Sequence, residues 1–165
     1  MTGERQFTVA GWLLGLGLGG FVDGIVLHQI LQWHHLLTDY GGHASFPATT
    51  VASLEANTRW DGLFHASTWL LVTAGVFLLW RAGTDGHRSS WRSLVGLLLA
   101  GWGAFNLVEG IIDHHLLTLH HVRDDVANPL WWDLGFLALG AALMAGGLAL
   151  RRADRNRAEA GSRSS

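Results

Sequence analysis

Imidazole and carboxylate side chains recur in this sequence in register. Phe21-Val-Asp-Gly-Ile-Val-Leu-His28 returns as Leu107-Val-Glu-Gly-Ile-Ile-Asp-His114, and His34-His35 returns as His120-His121, every pair 86 residues apart. Acid, glycine, histidine and the His-His pair all coincide. Imidazole with carboxylate is a donor set for Zn, Fe, Mn or Cu(II), whereas a Cu(I) carrier would favour Cys or Met; the chain has no Cys and 2 Met. The candidate metal ligands are therefore Asp23, His28, His65, Glu109 and His114, with Asp61 as a carboxylate that orients His65 or coordinates directly. Asp61 and His65 are spaced i, i+4 and so stack on one helix face. His35, Asp113, His121 and Asp133 are secondary candidates. The outer histidines His34, His35, His120 and His121 fit interfacial hydration as well as they fit ligation, and His43 and His87 read as solvated loop residues.

Three chemistries suit these groups. The first is a divalent transition-metal site, whose enzymatic form is a metal-activated water or oxygen species acting on a lipid-phase or periplasmic substrate. The second is a b-type haem held by His28 and His114 as a bis-histidine pair, with Asp23 and Glu109 poorly placed beside it. The third is a proton or metal-ion transport or assembly factor in which the carboxylates form a relay. The absence of Cys excludes disulfides, thiolate metal sites and covalently attached c-type haem. The histidine spacings do not match desaturase-type di-iron boxes. The basic residues are all Arg and form no patch suited to a phosphate backbone, which argues against nucleic acid.

The elements that hold these residues are apolar helices. Charged residues make up 15% of the chain, against about a quarter in soluble domains. Gly reaches 22 and Trp 9, both favoured in or beside membrane helices. Four stretches, 7–37, 60–80, 93–119 and 130–150, are each long enough to cross a hydrocarbon core, which needs about 20 helical residues. The first carries Asp23 and lacks a small-residue cleavage site, so it is not a cleavable signal peptide. Residues 1–150 form one all-α membrane domain, and the charged stretch 151–165 is expected to be a disordered cytoplasmic tail.

Two helices per repeat return the chain to the same side, so the expected architecture is a four-transmembrane-helix bundle built from two parallel two-helix repeats. At about 100° per residue, Asp23, Gly20, Gly24, His28, His34 and His35 share one helical sector. Glu109, Asn106, Gly103, His114, His120 and His121 share the matching sector of the third helix. Small residues permit close backbones and ionisable groups avoid lipid, so this sector faces the interior. One flank of the bundle carries nine arginines, the other only Arg59 and Arg123. Positive charge is retained on the cytoplasmic side, which places both termini there and the histidine-rich ends outward across a bacterial inner membrane. Four helices make a small transporter unless the chain forms a homodimer.

The chain resembles a family of small bacterial four-helix membrane proteins known as domain of unknown function 2243. The resemblance rests on Gly24-Ile-Val-Leu-His28 through His34-His35, on Asp61-Gly-Leu-Phe-His65, and on Asn106-Leu-Val-Glu-Gly-Ile-Ile-Asp-His114 through His121-Val-Arg-Asp124. It implies fold and topology and leaves the chemistry to the residues themselves.

Overall fold

A computed structural model describes residues 2–40, 45–87 and 90–163. Helix α1 spans Gly3–Val22 and passes directly into a π-helix, π1, over Asp23–Ile30. Helix α2 spans Val51–Thr84, α3 spans Trp91–Glu109 and continues as π2 over Gly110–Leu116, and α4 spans Leu130–Arg163. Side-chain caps start three of them: Thr2 accepts from Arg5 N, Thr50 from Ser53 N, and Ser90 from Arg92 N. Four segments are long and apolar enough to cross a membrane: Gly3–Ile30, Val51–Thr84, Trp91–Leu116 and Leu130–Ser162. No strand occurs among the described residues.

The helices lie in the order α2, α1, α3, α4, with α1 and α3 as the central pair and the other two packed on its flanks. The central pair is close because its contact is backbone on backbone. A Cβ at Gly15 would collide with the Leu98 carbonyl, and one at Gly101 would come within 2.7 Å of the Trp12 carbonyl oxygen. Helices α2 and α4 present Trp69, Phe77 and Leu139 outward, as lipid-facing surfaces do. The start of α1 meets the end of α4 through Arg151 and Thr8, at 2.8 Å, and Ser90 bonds Asp154 at 3.0 Å. The N-terminus, the α2–α3 turn and the end of α4 thus share one end of the molecule. The described parts of the connections, 31–40, 45–50 and 117–129, form the other.

Three elements differ from the sequence expectation. Helix α2 begins at Val51, a full two turns before the apolar stretch. Residues 151–163, expected to be disordered, continue α4, and their Ala, Arg and Glu content favours helix even in water. Most important for the site, the first and third helices do not run as α-helix to Leu37 and Leu119. The first changes to π geometry at Asp23 and the third directly after Glu109, and each then turns through a left-handed residue, Gln32 at φ 51° and Thr118 at φ 47°. The chain then folds back into the bundle. His43 lies outside the described residues, and His87 packs on the Phe7 ring with centroids 5.1 Å apart.

Candidate metal centre

The π-helices set the first contacts of the site. In an i→i+5 helix, residues five apart sit about one turn above each other, whereas in an α-helix they diverge. Asp23 and His28 are five apart, as are Glu109 and His114. Asp23 Oδ2 accordingly lies 3.2 Å from His28 Nε2, and Glu109 Oε1 lies 2.9 Å from His114 Nε2. The left-handed turns then bring back His34 and His120, which are 2% and 1% exposed and lie at the centre of the cluster. Their rings stack with centroids 4.3 Å apart and planes 4° off parallel. His34 touches His28 at 4.4 Å between centroids, and His120 touches His114 at 4.9 Å.

His34 and His120 are each fixed by the other half of the chain. His34 Nδ1–H donates to the Val122 carbonyl at 2.8 Å, and His120 Nδ1–H donates to the Leu36 carbonyl at 3.2 Å. A carbonyl can only accept, so the proton sits on Nδ1 and Nε2 is turned inward. His28 Nδ1 is held by Asp61 Oδ1 at 3.0 Å in the same manner. His114 Nδ1 is 3.5 Å from Asp133 Oδ1, a looser version of that contact. Asp61 also accepts from Leu36 N and His35 Nδ1, and Asp133 accepts from Val122 N and His121 Nδ1. The backbone is tied across as well: Asp39 N donates to the Leu119 carbonyl and Asp124 N to the Trp33 carbonyl.

Several inward atoms are close to a partner in distance yet off the direction of a hydrogen bond. His28 Nε2, His34 Nε2, both ring nitrogens of His114 and Glu109 Oε2 are buried without a hydrogen-bond partner among the described residues. Each such atom costs about 1–3 kcal/mol if nothing else satisfies it. Two groups of donors lie close enough to share an ion: His28, His34 and His120, and Glu109, His114 and His120, with the atoms of each group within 4.8 Å of one another. Burial, together with the neighbouring rings of His120 and His28, holds the His34 imidazole well below its usual range, so it stays neutral. Burial also opposes charge on His120, but the Glu109 carboxylate at 3.0 Å outweighs it and raises that imidazole.

Of the residues read from the sequence, Asp23, His28, Glu109 and His114 come together at this centre, with Asp61 and Asp133 behind them. Asp61 orients His28 and His35, where the sequence reading gave it His65. His65 is not brought in: its Nδ1 donates to the Asp61 backbone carbonyl at 2.7 Å, one turn back on its own helix, and its ring lies against Phe64. His35 and His121 occupy the rim, and Asp113 is half-buried beside Glu109 at the lipid-facing side. Sequence reasoning undervalued His34 and His120. The signal was their exact recurrence in the repeat, which surface hydration does not explain.

These features define a polytopic membrane protein with a buried histidine–carboxylate cluster that could hold a metal, set toward one end of its helices. The chain belongs to the family described as Predicted membrane protein (DUF2243), whose sequence model matches residues 10–154. No curated protein and no solved structure matches the chain.

Proposed function

We propose that this chain is a membrane metalloprotein that binds a divalent transition ion, Zn, Fe, Mn or Cu(II), through His28, His34, His114, His120 and Glu109, with Asp23 as the matching carboxylate of the other half. One observation carries the reading. Buried imidazoles from both halves are anchored on Nδ1 by a carboxylate or carbonyl while Nε2 faces the shared interior. Histidine ligands of metals almost always donate their second N–H in this way. Positioned at the arginine-poor end of the helices, the centre faces outward across a bacterial inner membrane, with both termini cytoplasmic. An open coordination position there would let the ion activate water or oxygen toward a substrate, which makes a metal-dependent membrane enzyme the leading functional class.

A bis-histidine haem is the weaker reading. His34 and His120 each contact both His28 and His114, so their rings fill the space a porphyrin would need. A proton relay draws on a different observation. His35, Asp61, His28 and Asp23 follow one another at 2.7, 3.0 and 3.2 Å from the rim inward. His121, Asp133, His114 and Glu109 do likewise at 2.7, 3.5 and 2.9 Å.

The test is the metal content and absorption spectrum of detergent-purified protein. Bound first-row metal is expected, and His28→Ala, His34→Ala, His114→Ala and His120→Ala should each remove most of it. The His28→Ala/His114→Ala double variant should be little worse than either single, as groups acting as a unit behave. His65→Ala and His87→Ala should retain the metal. Metal-free protein with intact helices would leave the relay; a Soret band would replace the metal reading with haem.

A further inference from the structure

The backbones of α1 and α4 stay apart, as do those of α2 and α3, and side chains such as Arg151 with Thr8 and Phe64 with Phe105 bridge them. Each gap forms a cleft floored by the central pair. The one between α1 and α4 has a volume of about 370 Å³, the one between α2 and α3 about 220 Å³. Each ends at an acid of the cluster, Asp23 in the larger and Glu109 in the smaller. These positions correspond in the repeat, yet the two clefts are furnished differently. The larger is walled by Trp33, Trp102, Trp132 and Phe136.

Two polar side chains, Asp23 and Asn106, interrupt that aromatic wall. Asn106 is 2% exposed and lines the cleft, and its amide makes no hydrogen bond among the described residues. An apolar pocket with a few converging polar groups is how proteins hold small molecules. The outer end is covered by Arg123, whose guanidinium lies 5.1 Å from the Trp33 ring and 5.2 Å from the Trp132 ring. The sides are membrane-spanning helices, so the ligand arrives from lipid.

We propose that the α1–α4 cleft binds a lipid-phase hydroquinone, its ring against the tryptophans and its hydroxyl between Asn106 and Asp23. The volume suits one ring with the start of a tail. Aromatic walls favour a flat ring over a flexible acyl chain. A phenolic hydroxyl can accept from the Asn106 amide and donate to the Asp23 carboxylate, which satisfies both groups at once. The bound hydroxyl would then sit beside Asp23, whose Oδ2 is 3.2 Å from His28 Nε2. Binding needs the cleft and its two polar groups, so it goes beyond the metal reading and does not depend on it.

The experiment uses the full-length protein in lipid nanodiscs, titrated with decylubiquinol and followed by quenching of tryptophan fluorescence, with n-decanol as a competitor that lacks the ring. Saturable quenching is expected, unaffected by n-decanol and retained after chelator treatment. Gly135→Leu projects into the cleft from a position where a Cβ meets nothing within 4 Å, so the variant should fold and block binding. Asn106→Leu removes the amide and should weaken binding about tenfold, a single buried hydrogen bond's worth. Quenching that is non-saturable or equal in Gly135→Leu would overturn the site. Displacement by n-decanol would overturn the ring assignment in favour of a lipid chain. Loss of binding on chelation would place the ligand on the metal and overturn the role of Asn106.

Discussion

Asp61 is not among the proposed ligands, yet its carboxylate ties four donors together. Oδ1 accepts from His28 Nδ1 and from Leu36 N, both at 3.0 Å, while Oδ2 accepts from His35 Nδ1 at 2.7 Å and Gln29 Nε2 at 3.3 Å. In Asp61→Asn the shape is kept and the charge is lost. With the amide oxygen toward His28 and Leu36, the NH2 group faces His35 and Gln29. Each of these can turn an acceptor toward it, by tautomer in one case and by amide rotation in the other, so no buried group is stranded. What disappears is the negative charge that makes His28 a stronger electron donor. Loss of such an outer partner lowers metal affinity about 10–100-fold, or about 1.4–2.8 kcal/mol. Asp133→Asn should fall at the low end, because Asp133 Oδ1 is 3.5 Å from His114 Nδ1 and so supports that ring less. The assay is competition against a chromophoric chelator with purified protein, alongside circular dichroism to confirm that the helices persist. Unchanged affinity in a folded Asp61→Asn protein would refute the reasoning, and Asp125→Asn, at the exposed Arg123 pair, is the neutral control.

Metal occupancy should fall between about pH 7 and pH 5, since an imidazole ligand must be neutral and protons compete for Nε2 as acidity rises. Full retention at pH 5, measured after gel filtration, would argue against histidine ligation. Gly101→Leu should abolish the α1–α3 contact and the yield of folded protein, whereas Gly62→Ala, where a Cβ meets nothing within 4 Å, should be silent by thermal melting. A reporter active only in the cytoplasm should work when fused after Ser165 and fail when inserted near His43; the reverse pattern would overturn the proposed orientation.

The helix count and the acid-histidine pairs were legible because both rest on local pattern: apolar runs of spanning length, and residues that coincide when the chain is laid on itself. Asp23, His28, Glu109 and His114 needed no tertiary information. His34 and His120 did. A wheel at constant angle carries the α-helix through Leu37 and sets these rings one to two turns beyond His28, whereas the π-helix and the left-handed Gln32 and Thr118 fold them back beside it. Neither Gln nor Thr advertises a positive φ as Gly or Asn would, so the turn had no local signal. His65 failed for the opposite reason. Its i, i+4 spacing from Asp61 was read as carboxylate to ring, but the ring is satisfied by the Asp61 backbone carbonyl, a partner that every helix offers.

The pairing of acids and imidazoles also bears on how the chain enters the bilayer. Asp61 finds His28 and His35 within the first hairpin, and Asp133 finds His121 within the second. Charges inside a membrane are tolerated when they meet a partner. Each hairpin can therefore leave the insertion machinery with its carboxylates already answered, before the other half has been synthesised. The contacts of His34 with Val122, His120 with Leu36, Asp39 with Leu119 and Asp124 with Trp33 wait for both. A product ending after α2 would thus carry its paired carboxylates yet lack the cluster, whose imidazoles from the two halves meet only when His34 and His120 stack.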